Sequence, residues 1–189
     1  MIRERNDVEL FWTLNDALRP SAAIEEITNR ILQHLARFNS TIVALHVRAE
    51  SDWLEHCKQW ENIKDGIIRD NCLSNTNNLV ETLTIAGIEP GSTIFLAGGY
   101  VKQELMSNPI LNALTKAFNV VTKEEILQGF NADVLASRRE YYAAIDFEVC
   151  QRAPIFVGNS VSTFSALLLM MRERRRQLHA EPLRHFHYN

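Results

Sequence analysis

Asp146-Phe147-Glu148-Val149-Cys150-Gln151-Arg152-Ala153-Pro154-Ile155-Phe156-Val157-Gly158-Asn159-Ser160-Val161-Ser162-Thr163-Phe164 changes character several times along its length. A helical face ends near Cys150, and Pro154 stops it because proline lacks the N–H and crowds the preceding turn. Ile155-Phe156-Val157-Gly158 then reads as a short buried strand. Asn159 and Ser160 turn the chain, and an apolar helix runs from Ser162 through Thr163, Phe164, Ala166, Leu167, Leu168 and Met170. A strand that breaks at glycine into hydroxyl residues opening a helix presents backbone N–H groups and a positive helix end. That arrangement suits a phosphate or another anion. It equally suits an ordinary N-cap, because Ser and Thr fill that role routinely.

Working outward, the same alternation recurs. Ser21 follows Pro20 and can cap a helix whose Ile24, Ile27, Ile31, Leu32 and Leu35 share one face. Thr41-Ile42-Val43-Ala44-Leu45 is a continuous apolar run rich in β-branched residues, as in a strand covered on both faces. Ser51 and Asp52 open a short helix through Trp53, Leu54, Cys57 and Trp60. Leu79, Val80, Leu83 and Ala86 suggest another helix, closed by Gly87 and Pro90-Gly91. Thr93-Ile94-Phe95-Leu96-Ala97 is a second buried strand that ends in Gly98-Gly99, a loop signal. Asn108-Pro109 starts a helix with Ile110, Leu111, Leu114 and Phe118 inward. Val120-Val121 is a short third strand, and Thr122 with Glu125 makes a capping box. A helix is expected over Ser137 to Gln151. Phe11, Trp12, Leu14 and Leu18 mark a short helix near the start.

Short, apolar, non-alternating strands separated by helices predict an α/β fold, a Rossmann-like parallel sheet with helices on both faces. Right-handed crossovers bring the strand ends to one edge, so His46, Arg48, Ser162 and Thr163 are expected to line one cleft. The 189 residues suit one domain, with 46% hydrophobic and 23% charged residues. A net charge of −3 argues against a general nucleic-acid binder. No run is long and apolar enough for a membrane helix, and the start lacks the apolar core of a secretory signal. The cysteines Cys57, Cys72 and Cys150 form no Cys-x-x-Cys, and the histidines lack metal-ligand spacing, so no metal site is expected. Arg172, Arg174, Arg175 and Arg176 crowd a helix end and are expected to be mostly solvated.

A second stretch, Ala44 to Cys57, gives the first its context. His46, Arg48, Asp52, Trp53, Cys57, Asp146, the Gly158 to Phe164 run and Arg172-Glu173-Arg174 occur in the order found in the protein O-fucosyltransferase family and its plant relatives. Thr122-Lys123-Glu124 after Phe118-Asn119-Val120-Val121 adds to the likeness. The resemblance runs from about residue 20 to residue 176 and is to the family's C-terminal half, the nucleotide-sugar-binding domain of a GT-B glycosyltransferase. It implies that Arg48 is the catalytic cation that holds the diphosphate. Spacing alone leaves open a structural ion pair of Arg48 with Glu50 or Asp52. The resemblance adds His46 beside Arg48, Asp146 as acceptor for the guanine of GDP-fucose, and Ser162, Thr163 and Phe164 as the turn that binds phosphate and packs the nucleoside. From spacing alone Asp146 is a solvated helix carboxylate and Phe164 is core.

The function implied is transfer of fucose from GDP-fucose, the donor substrate, to a hydroxyl on a protein or polysaccharide, with inversion and without cofactor or metal. Residues 21–178 would form the nucleotide-sugar-binding domain. Residues 1–20 would be an N-terminal segment at the edge of a missing domain, and 179–189 a C-terminal tail. The chain would then be a fragment of a two-domain enzyme of the Golgi or ER lumen. A rhamnosyltransferase using UDP-rhamnose, a non-catalytic nucleotide- or partner-binding remnant, and an unrelated small α/β enzyme are the alternatives.

Overall fold

The computed structural model describes residues 2–49, 53, 55, 58–59, 76–100, 102–128, 139–159, 162–179 and 183–188. Ser51, Asp52, Leu54, Cys57, Trp60, Cys72, Ser137 and Ser160, to which the sequence assigned helix starts, helix positions, thiols or a turn, lie outside them. Five parallel strands form one sheet in the order β3-β2-β1-β4-β5: β1 Ile42–His46, β2 Thr93–Ala97, β3 Asn119–Thr122, β4 Ile155–Asn159 and β5 Arg184–Tyr188. The helices are α1 Ile2–Ala17, α2 Ala22–Leu35, α3 Thr76–Ile85, α4 Lys102–Ser107, α5 Pro109–Ala117, α6 Lys123–Ile126, α7 Arg139–Arg152 and α8 Thr163–His179. None of them is long and apolar enough to cross a membrane, among the described residues.

Side-chain alternation along the strands divides the core into two layers. Val43 and Leu45 of β1, Ile94 and Leu96 of β2, and Ile155 and Val157 of β4 meet Leu79 and Leu83 of α3 and Ile110, Leu111 and Leu114 of α5. Ala44, Phe95 and Phe156 face the other way, onto Ile24, Ile27, Ile31 and Leu35 of α2, Ile145 and Val149 of α7, and Leu168 of α8. The expected caps are present. Ser21 accepts from the Ile24 N–H, Asn108 from Ile110 and Leu111, and Thr122 with Glu125 closes a capping box on α6.

Two elements differ from the sequence reading. β5 adds an edge strand to β4 in a stretch that carries no apolar run. Arg172 is fully buried rather than solvated: its guanidinium donates to the carbonyls of Cys150 (2.7 Å), Gln151 (3.1 Å), Ala153 (2.8 Å), Pro154 (3.3 Å) and Arg184 (2.8 Å). It thereby satisfies the carbonyl end of α7 and ties the start of β5 to it.

Candidate functional site

His46 ends β1, in register with Ala97 of β2 and Gly158 of β4. Its Nδ1 lies 2.9 Å from the Ser165 hydroxyl on α8, and its ring centroid lies 4.6 Å from that of Phe164. Gly158 permits that approach, because a Cβ there would stand 2.6 Å from Ser165 Oγ. Burial, with help from Arg48 and Lys123, lowers the His46 pKa to about 4, so the imidazole is neutral at physiological pH. Phe164 also meets Phe147 edge-on at 5.7 Å, and it is half-buried, both core and cavity wall.

Arg48 follows two residues later, on a segment pinned at both sides. The Tyr100 hydroxyl donates to the Val47 carbonyl (2.8 Å) and accepts from the Ala49 N–H (2.9 Å). Asn108 donates to the Ala49 carbonyl (2.9 Å) while its other amide atom caps α5. The Arg48 guanidinium sits 4.8 Å over the Trp53 ring, which adds a cation–π contact. Of the ion-pair partners the sequence left open, Glu50 and Asp52 lie outside the described residues.

Asp146 is buried, not solvated. Its Oδ2 accepts from the Lys123 ammonium at 2.6 Å and from the Gly98 N–H at 3.0 Å, and Lys123 also donates to the Gly98 carbonyl. Gly98 has φ +142°, and a Cβ there would meet the Tyr100 ring at 2.5 Å, so the loop signal after β2 marks a position with no room for a side chain. Asp146 Oδ1 is buried without a hydrogen-bond partner among the described residues. Burial pushes the Asp146 carboxyl up to about 6, with Lys123 and Gly98 pulling it back.

These groups line one cavity of about 610 Å³ at the C-terminal edge of the sheet, together with Gly99, Glu124, Tyr142, Ala143, Ser162 and Thr163. All six residues singled out from the sequence, His46, Arg48, Asp146, Ser162, Thr163 and Phe164, meet there. Ser162 precedes α8 and its carbonyl accepts the Ala166 N–H at 2.9 Å, so the positive end of a 17-residue helix borders the cavity. The cavity is polar in a fixed sense. Lys123 and Glu124 follow β3, Gly98 follows β2 and donates to Asp146 of α7, Arg48 follows β1, and the α8 terminus follows β4. Three interstrand spacings, roughly 14 Å, therefore separate Glu124 from the α8 terminus, with Asp146 and Arg48 on neighbouring strand ends between them. Sequence reasoning missed Lys123, Glu124 and Tyr100 as site residues. The signal present for Lys123 was a lysine in the first turn of a helix, where the dipole disfavours it unless a carboxylate compensates.

The sheet order defines a Rossmann-like α/β fold, with the cavity over the point where connections switch from one side of β1 to the other, where such sheets take their ligands. The chain belongs to the GDP-fucose protein O-fucosyltransferase family, whose model matches residues 5–176. It is 32% identical over 142 residues to O-fucosyltransferase 23 of Arabidopsis thaliana, an alignment covering 70% of this chain and 30% of that protein. Crystal structures of POFUT1 share the fold: the complex with GDP has a TM-score of 0.55 at 20% identity, covering 94% of this chain and 51% of that one. The complex with GDP-fucose has a TM-score of 0.54 at 21% identity, covering 94% and 50%. The chain thus spans about half the length of these solved relatives and less of the plant protein.

Proposed function

We propose that this chain supplies the donor-binding half of a glycosyltransferase that moves fucose from GDP-fucose to a hydroxyl acceptor with inversion. The observation that carries the reading is the lining of the cavity, which sets Arg48 and the α8 terminus beside a buried Asp146 whose Oδ1 has no partner among the described residues. A guanidinium and a helix N-terminus suit a diphosphate. An acceptor-only carboxylate suits the N–H edge of guanine and suits uracil less well, which favours GDP over UDP donors. In the reaction the acceptor oxygen bonds to the anomeric carbon as that carbon's bond to the β-phosphate oxygen breaks. The electron pair leaves on GDP, and the hydroxyl proton passes to a base. Arg48 meets more negative charge in that transition state than in the ground state, so its contribution falls on the rate. Charge neutralisation is assigned to Arg48 and α8 rather than to a metal ion. The reading carries with it a protein or polysaccharide acceptor and a lumenal location, Golgi or ER.

Calorimetric titration of the chain should show GDP binding more tightly than UDP in the presence of EDTA, and a UDP preference would move the reading to rhamnose transfer. In a fucose-transfer assay of the chain joined to the other half of such a transferase, Arg48→Ala should lose about a hundred- to thousandfold in rate. Arg48→Lys should recover little, since an ammonium cannot reproduce a planar two-point contact. A folded Arg48→Ala protein that transfers at the parent rate would make Arg48 structural and end this mechanism.

A further inference from the structure

A guanine edge brings an N1–H and a 2-amino group, whereas Asp146 has one oxygen left for them: Oδ2 is taken by Lys123 and Gly98, and Oδ1 alone lacks a partner among the described residues. We propose that Glu124 is the second acceptor of the base, its Oε2 receiving the exocyclic 2-amino group of guanine, which makes Glu124 a specificity-determining residue; this rests on the GDP-fucose reading above. Glu124 and Asp146 are the carboxylates lining the cavity among the described residues. Glu124 Oε2, like Asp146 Oδ1, is buried without a hydrogen-bond partner among the described residues. A buried carboxylate oxygen without a donor is costly, and a ligand N–H removes that cost. Glu124 lies at the β3 end of the cavity, beside Lys123 and away from Arg48 and α8, which is the end a base would occupy. Its backbone is fixed, because the Thr122/Glu125 capping box sets the first turn of α6. Burial raises its pKa against the pull of Lys123 and of hydrogen bonds from its own backbone N–H and the Thr122 hydroxyl, which leave Oε2 for a ligand, and its charge in turn raises that of Asp146.

The competing explanation is that Glu124 only favours the α6 N-terminus through the helix dipole. Inosine diphosphate separates the two, because hypoxanthine keeps the N1–H and lacks the 2-amino group. Titrations of the chain should show GDP binding roughly tenfold or more tightly than inosine diphosphate. Glu124→Ala should bring the two within about twofold by weakening GDP alone, and Glu124→Gln, which keeps a carbonyl acceptor, should fall between. Asp146→Asn, by contrast, should weaken both nucleotides. Melting curves for each variant show whether it is folded, and Glu124→Gln serves if Glu124→Ala is not. If GDP binds but the parent does not discriminate, or if a folded Glu124→Ala protein keeps the parent ratio, Glu124 is a helix-end residue and the inference falls while the GDP site stands. If the parent binds no GDP or prefers UDP, the nucleotide reading itself falls.

Discussion

Asp146 and His46 are buried ionisable residues displaced in opposite directions, and stability should register both. Asp146 titrates at about 6 in the folded chain against 3.8 as a free side chain, with burial the main cause. The folded state therefore holds this proton more tightly, and stability is lost as pH rises through that window. His46 titrates at about 4 against 6.5, so its contribution is present above 6.5 and is lost as pH falls toward 4. Between pH 4 and 6 the two slopes oppose each other and should nearly cancel in the parent. Urea denaturation across that range should show His46→Gln losing stability as pH rises and Asp146→Asn gaining it, each by roughly 2–3 kcal/mol. Above about pH 6, where Asp146 is ionised, Asp146→Asn should also be less stable, because Lys123 loses the carboxylate that neutralises it in the interior. Parallel pH profiles in parent and variants would mean that neither group is displaced as the burial argument requires.

At the scale of elements, Arg172 shows what one side chain can hold in place. Five carbonyls from the end of α7, the loop to β4 and the start of β5 converge on its guanidinium. Arg172→Met preserves much of the volume and strands those acceptors, so urea melts should show a loss of about 3–5 kcal/mol. Arg176→Ala, four residues on and exposed beside Glu173, should leave the melt almost unchanged. Equal effects would remove the role given to Arg172. The contrast also explains how much of the fold was legible in the sequence. The α2 face from Ile24 to Leu35, the caps at Ser21, Asn108 and Thr122, and four apolar strands are local patterns, and each formed where its pattern lies. Arg172 and Lys123 were illegible as buried groups because the partners that justify their burial lie 12 to 25 positions away in sequence. β5 carries Arg184-His185-Phe186-His187-Tyr188, and only its pairing to β4 makes it a strand. That the six candidate residues meet at one cavity was legible because a resemblance supplied their order, and short, parallel strands supplied the edge on which they meet.

For the whole molecule, the groups that line the cavity at the sheet edge are also groups that hold the fold. His46 is fixed by Ser165, Asp146 by Lys123 and Gly98, and the Arg48 segment by Tyr100 and Asn108, so the cavity is a product of the same contacts that close the domain. A ligand that engages such groups only in the folded state adds its binding free energy to stability. At a hundred times its dissociation constant that is about 2.7 kcal/mol. For a chain of 189 residues this corresponds to a rise in melting temperature of roughly 5–10 °C. GDP should produce that shift with EDTA present, and UDP at the same concentration should produce a smaller one, since uracil offers the carboxylates a single N–H where guanine offers N1–H and a 2-amino group. Arg48→Ala should reduce the GDP shift without lowering the melting temperature of the unliganded chain by a comparable amount, because Tyr100 and Asn108 hold the backbone around Arg48. A GDP shift that survives intact in Arg48→Ala would place the diphosphate elsewhere on the molecule. The absence of any GDP shift in the parent would leave the cavity without the ligand its polarity is suited to hold.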